Sequence, residues 1–298
     1  MSYHVPVMLD ESLQGLAITP DGVYVDVTFG GGGHSRAIME RLQRGRLIAF
    51  DQDADAMKNR LDDERFVFVK HNFRFLKNFL QYHGYPQVDG VLADLGVSSH
   101  HFDVPERGFT FREDGPLDMR MNTQMSKTAA QVLNETEERT LIHIFRQYGE
   151  LKNARRIAGL VVKARQDKPF ARISDLLQVL EPVLPKFGQK KVLAKIFQAL
   201  RIEVNDEMYS LEQFLLQVAD VLKPGGRLVV ITYHSLEDRM VKNIMRSGRV
   251  DGVVQKDLYG QAHVPYKVIT RKVILPTESE IEENPRSRSA KLRIAEKI

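Results

Sequence analysis

The chain contains no cysteine. That excludes a disulfide framework, a thiolate metal site and a cysteine nucleophile, and it suits a reducing cytoplasm. Long apolar runs are missing too: nothing approaches the roughly 20 consecutive apolar residues of a membrane span. The start, Met1 to Asp10, has neither the basic residues nor the apolar core of a signal peptide. A cytoplasmic protein with no membrane partner is expected. Nor does one sign of charge dominate, with 43 Lys and Arg against 39 Asp and Glu. The 298 residues, 43% hydrophobic and 28% charged, describe one large or two ordinary globular domains with ample core.

Glycine, by contrast, is concentrated. An apolar segment, Tyr24-Val25-Asp26-Val27, runs through Thr28 and Phe29 into Gly30-Gly31-Gly32-Gly33, and a helical pattern follows at Ala37, Ile38 and Leu42. This is a strand–loop–helix corner whose backbone, lacking Cβ atoms, can lie directly against a ligand. A second apolar segment, Leu47-Ile48-Ala49-Phe50, ends in Asp51. A carboxylate at that strand tip is where doubly wound folds hold a ribose. The dinucleotide fingerprint G-x-G-x-x-G fails, since its third glycine falls on Ser35 or Arg36, and no Gly-Lys-Ser/Thr completes a Walker loop. A nucleoside cofactor without phosphates, S-adenosylmethionine (SAM), fits this loop.

Strand-like segments at 23–27, 46–50, 66–69 and 88–93 alternate with helical stretches, the rhythm of a parallel sheet. After Asp94 the rhythm stops, and from Pro105 to Glu207 helical periodicity takes over. Helices are expected from Thr136 through Tyr148, through Ile157, Leu160, Val161 and Ala164, from Ser174 through Leu180, and from Gln189 to Arg201. A stripe from Leu211 to Leu222 then closes at Lys223-Pro224-Gly225-Gly226, and a buried strand runs over 227–232. Two later segments, 267–275 and 291–295, suit an antiparallel edge pair. The expected architecture is an α/β doubly wound domain, residues 1–104 and 208–298, interrupted by an all-α insertion, residues 105–207. Between Lys152 and Arg201 twelve Lys and Arg stand against three acids, which leaves the rest of the chain net acidic. Such asymmetry suits either a polyanion-facing surface or a solvated helical face.

Six blocks carry a family resemblance: Asp26 to Ser35; Asp94-Leu95-Gly96-Val97-Ser98-Ser99; Glu106 to Phe111 with Gly115 to Met121; Phe197 to Ile202 with Val204 to Glu207; His234 to Arg239; and Asn284 to Arg293. In order and across nearly the whole chain, they resemble the bacterial ribosomal small-subunit RNA methyltransferase H family, also known as MraW. The resemblance implies a class I SAM-dependent methyltransferase fold, Rossmann-like, that methylates N4 of a cytidine in the decoding region of 16S rRNA. It implies the small ribosomal subunit as partner, no metal, and a monomer or homodimer. Its cofactor contacts fall on Gly32, Gly33, His34, Asp51, Phe73, Asp94 and His101. Two departures stand out: relatives commonly carry Gln where this chain has His101, and residues 187–196 lack the Gly-His-Pro-Ala run of many members.

The chemistry narrows the catalytic candidates. Cytosine N4 shares its lone pair with the ring, so an acceptor must draw the amine's hydrogens aside and take the proton formed. Asp94, at the carboxyl edge of the sheet, can serve the cofactor, the amine, or both. His234, after the fifth strand, can contact the base or tie down its loop. Phe109 and Phe111 suit stacking on a flipped base or a core; Asp118 is a further carboxylate or a brace for Arg120. Arg155, Arg156, Lys163 and Arg288 are candidate RNA contacts. Adjacent His100 and His101 lack metal-ligand spacing. The rival readings are a NAD-dependent oxidoreductase, a SAM-binding RNA module without catalysis, and a DNA N4-cytosine methyltransferase. The last is opposed by Asp-Leu-Gly-Val at 94–97, where such enzymes carry Asp/Asn-Pro-Pro-aromatic.

Overall fold

The computed structural model describes residues 6–298, apart from the side chains of Ser99 and His100. The chain forms two compact units, Met1–Gly96 with Met208–Ile298, and Val97–Glu207. The second unit therefore starts at Val97, before the expected boundary at 105, and ends at 207.

The first unit is built on seven strands. They are β1 (Val23–Asp26), β2 (Arg46–Phe50), β3 (Phe66–Val69), β4 (Val88–Asp94), β5 (Leu222–Thr232), β6 (Tyr266–Val268) and β7 (Lys291–Lys297). They lie in the order β3-β2-β1-β4-β5-β7-β6, with β7 antiparallel to both neighbours and the others parallel. This is the class I methyltransferase arrangement that the motifs implied. Period-two alternation feeds a core on each face: Val25, Val91, Leu228 and Val230 pack on one side, Tyr24, Leu92, Val229 and Ile231 on the other. The strand order switches direction at β1, with β2 on one side and β4 on the other, and ligands of doubly wound sheets sit outside the carboxyl ends there.

Two expectations are corrected. Strand β5 begins at Leu222, and the Lys-Pro-Gly-Gly turn is a bulge in it: the register passes from Val88↔Leu222 to Gly90↔Arg227. The expected strand over 267–275 stops at Val268, because the Ile269 and Thr270 amides both turn onto the Ile294 carbonyl; Ile274 returns in a single bridge to Leu292.

The second unit packs helices Ala129–Glu135, Glu138–Gln147, Ala154–Asp167, Ile173–Leu180 and Gln189–Asn205 around Phe145, Ile157, Leu176, Ile196 and Leu200. Thr136, expected to open a helix, closes the preceding one, which Thr128 caps through the Gln131 amide. Asn205 pins the motif loop to the last helix: its Oδ1 accepts from the Met121 amide at 2.7 Å and its Nδ2 donates to the Met119 carbonyl at 2.8 Å. Among the described residues no helix is long and apolar enough to cross a membrane.

Candidate active site

Three neighbouring strands each deliver a carboxylate at their carboxyl ends: Asp26 on β1, Asp51 directly after β2, and Asp94 on β4. Their surroundings separate their roles. Asp26 is 1% exposed, and burial raises its pKa. Its oxygens are spent locally, accepting from Ser35 Oγ at 2.6 Å and the Thr28 amide at 3.1 Å. Thr28 Oγ1 in turn accepts from the Asp94 amide at 2.6 Å. Asp26 thus shapes the glycine loop and, through Thr28, fixes the end of β4. No signal in the sequence distinguished this internal brace from a ligand contact.

Asp51 ties the loop from the other side. Its Oδ2 accepts from the Gly30 amide and its Oδ1 from the Asp53 amide, each at 2.8 Å. Burial drives its pKa up to about 6 against those two hydrogen bonds, and the charges of Asp53 and Asp26 add to the rise. The side chain nevertheless keeps partial exposure, so its remaining lone pairs are open to hydroxyl donors. Gly30 and Gly32 take positive φ values of 50° and 76°, which permit the tight turn. At Gly31 a Cβ would have no atom within 4 Å.

Asp94 is the reachable carboxylate of β4, its side chain 23% exposed. Tyr233 Oη donates to its Oδ1 at 2.8 Å. Burial raises the Asp94 pKa to about 6, opposed first by His34 and then by the Tyr233 hydrogen bond. Tyr233 itself is held protonated, its pKa raised by burial and by Asp94, so it acts as donor. Sequence reading passed over Tyr233; its position directly after a buried strand, beside His234, was the available signal.

His34 faces inward. Its side chain is buried, Nε2 lies 3.0 Å from the Val7 carbonyl and Nδ1 lies 3.9 Å from Asp94 Oδ2. Burial lowers its pKa, opposed by the Asp94 charge and by the hydrogen bond from Nε2 to the Val7 carbonyl, and Nδ1 is the nitrogen turned toward Asp94. Phe73 begins the turn after β3, where its ring meets Phe214 edge-on at 5.3 Å. The preceding Asn72 donates to Gln52 Oε1 at 2.8 Å, which joins this turn to the Asp51 corner.

His234 is the N-cap of the helix Ser235–Ser247. Its Nδ1 accepts from the Glu237 amide at 3.4 Å, while Glu237 Oε2 accepts from the Tyr233 and His234 amides at 3.0 and 3.3 Å. Nε2 lies 3.1 Å from Glu237 Oε1 but out of hydrogen-bond alignment. This reciprocal cap positions Tyr233, so the loop-tying alternative accounts for the contacts His234 makes.

The remaining candidates lie on other elements. His101 and Phe109 belong to the second unit, where their rings meet with centroids 4.7 Å apart and both are buried. Phe109 is thus a core residue and not an open stacking face; Phe111 rests edge-on against Phe197 at 5.3 Å. Asp118 braces Arg120 through paired contacts of 2.8 and 2.6 Å. His100, half of the adjacent histidine pair, lies outside the described side chains. Arg155, Arg156 and Lys163 are exposed on the helix Ala154–Asp167, and Arg288 is exposed in the turn before β7. Within the basic stretch Lys168 pairs with Asp175, Arg172 with Asp114 and Arg201 with Glu207, while Arg165 donates to the Leu133 and Thr136 carbonyls. These four hold the unit together.

A family model for the MraW methylase family matches residues 1–298. The chain belongs to the MraW methylase family. A ribosomal RNA small subunit methyltransferase H from Bacteroides thetaiotaomicron is 58% identical over 298 residues, covering 100% of this chain and 98% of that protein. The Flavobacterium johnsoniae protein of the same name is 54% identical over 299 residues, covering 100% and 99%. The family is SAM-dependent, and the observed corner fits that cofactor. Gly31 leaves room against the loop, Asp51 offers acceptors for ribose hydroxyls, and the carboxylates of Asp51 and Asp94 favour a ligand bearing a sulfonium cation.

Proposed function

We propose that this chain methylates N4 of a cytidine in the decoding region of 16S rRNA, with the small ribosomal subunit as substrate. The observation that carries the reading is a partly exposed Asp94 carboxylate at the end of the central strand, held by Tyr233 at 2.8 Å with His34 Nδ1 3.9 Å away. SAM supplies an electrophilic methyl group on a sulfonium. Gly32, Gly33, the backbone of His34, Asp51 and Phe73 would hold it, with His101 assigned on the resemblance alone. Asp94 accepts a hydrogen bond from the N4 amine, which turns the nitrogen lone pair out of conjugation toward the methyl carbon. As the N–C bond forms and the C–S bond breaks, the nitrogen gains positive charge and its proton passes to Asp94. A pKa near 6 suits that acceptance at neutral pH. Tyr233 holds the Asp94 carboxyl in place through its hydrogen bond to Oδ1. The exposed cations of the second unit would supply affinity for the polyanionic substrate.

Transfer of tritium from labelled SAM to small subunits lacking the modification, followed by nucleoside analysis, tests the reading. Label is expected in N4-methylcytidine. Label in a C5- or N3-methylated base, or none, would overturn it.

A further inference from the structure

Between the helix Ser235–Ser247 and β6, residues 248–265 form an arm that the site described above does not use. Its end is a built hairpin. Lys256 bridges Ala262, and the Asp257 amide donates to the Gln261 carbonyl at 2.9 Å. Asp257 Oδ1 accepts from the amides of Tyr259 at 2.8 Å and Gln261 at 2.9 Å, and its Oδ2 lies 3.3 Å from His263 Nε2. Gly260 completes the turn with φ at 81°. One carboxylate therefore fixes the whole tip.

What this scaffold presents is unusual: Leu258 is 101% exposed and Tyr259 is 91% exposed. An apolar pair held out by its own hydrogen-bond frame gains nothing for the fold. Its surroundings are cationic. From Lys242 to Lys272 the chain carries seven Lys and Arg and two acids. Both acids are already engaged, Asp257 in the tip and Asp251 with Arg249 at 2.7 Å and the Val253 amide at 2.9 Å. Lys256, Lys267, Arg271 and Lys272 are exposed, and among the described residues no acid pairs with them.

We propose that this arm is a second RNA contact, in which Tyr259 stacks on an unpaired base while the surrounding cations hold phosphates; it rests on the rRNA reading above. An exposed aromatic ring among uncommitted cations is the chemistry that recognises single-stranded nucleotides. The intervening helix of 13 residues spans about 20 Å. The arm therefore grips a nucleotide distant from the methylated one, and contributes affinity for the substrate and not for SAM.

The chain has no tryptophan, so Tyr259→Trp creates a single reporter in the full-length protein. Titration with small subunits lacking the modification should quench its emission, and added salt should reverse the quenching. Tyr259→Ala should raise KM for those subunits about fivefold or more, the loss of one stacked base, with SAM affinity unchanged and Tyr259→Phe close to wild type. Unchanged emission, a blue shift without quenching (docking on a ribosomal protein), or an unaltered KM in Tyr259→Ala would overturn the proposal. If the wild-type protein methylates no subunit, the rRNA reading itself fails, whereas the fluorescence titration still reports on RNA contact.

Discussion

Tyr233 Oη and Asp94 Oδ1 lie 2.8 Å apart, joining the end of β4 to the residue after β5. The hydrogen bond favours the ionised carboxylate and works against the burial that raises its pKa to about 6. Tyr233→Phe removes the donor and keeps the ring. The pKa of Asp94 should then rise, so the ascending limb of kcat/KM against pH moves to higher pH. Turnover should fall most at pH 6–7 and recover toward wild type in more alkaline solution. A pH profile of parallel shape but uniformly lower height would instead assign Tyr233 to packing.

Asp94→Asn separates stability from chemistry. A carboxyl whose pKa is raised from 3.8 to about 6 in the folded protein favours folding when protonated. Its contribution is fully present below about pH 4 and is lost as the pH rises through 6. At pH 7.5 the ionised group is therefore a liability, and Asp94→Asn should raise Tm by roughly 2–4 °C, the shift about 1 kcal/mol gives in a domain of this size. Methyl transfer should drop far more than SAM affinity does, because the amide cannot take the amine proton. Thermal melts at pH 5 and 7.5, with calorimetry and single-turnover rates, check this; equal losses in affinity and rate would reassign Asp94 to the cofactor.

The placement of the glycine loop, Asp51 and Asp94 at the carboxyl ends of strands was legible because backbone pattern alone fixes it. The same pattern located five of the seven strands within one residue at their carboxyl ends. What stayed hidden depends on packing. Asp26 looks like Asp51 in sequence, yet Ser35 and Thr28 consume it. Phe109 reads as a candidate stacking ring until its neighbours bury it. The strand expected over 267–275 failed because two successive amides share the Ile294 carbonyl, a bulge no periodicity reveals.

Asp51→Ala should weaken SAM binding at least tenfold, since charge-assisted hydrogen bonds to ribose hydroxyls contribute roughly 1.5–3 kcal/mol each. Part of the loss will come from the loop, because the Gly30 and Asp53 amides also lose their acceptor. Asp51→Asn keeps one carbonyl oxygen and should lose less. With a folded-state pKa near 6, wild-type SAM affinity should decline as pH falls below that value. Calorimetric affinities at pH 5.5 and 7.5 that are equal in a folded wild-type protein would remove Asp51 from the cofactor site.

The exposed cations of the second unit should set RNA affinity. Arg155, Arg156 and Lys163 lie within about 100° of one another around the helix Ala154–Asp167, opposite the buried stripe of Ala154, Ile157, Ala158 and Val161. No acid pairs with them among the described residues, unlike Lys168, Arg172 and Arg201, which serve the fold. Each phosphate neutralised adds about 0.9 (duplex) or 0.7 (single strand) to the slope of log affinity against log salt. Changing all three residues to Glu should therefore weaken binding to the small subunit and flatten that slope by up to about two to three. SAM affinity should stay at wild type, because the glycine loop and Asp51 belong to the other unit. Filter binding between 50 and 200 mM salt, with parallel SAM calorimetry, distinguishes the outcomes. A triple variant with an unaltered slope and normal methylation would mean that this face is merely solvated, and would move the phosphate contacts to Arg286, Arg288 and Lys291.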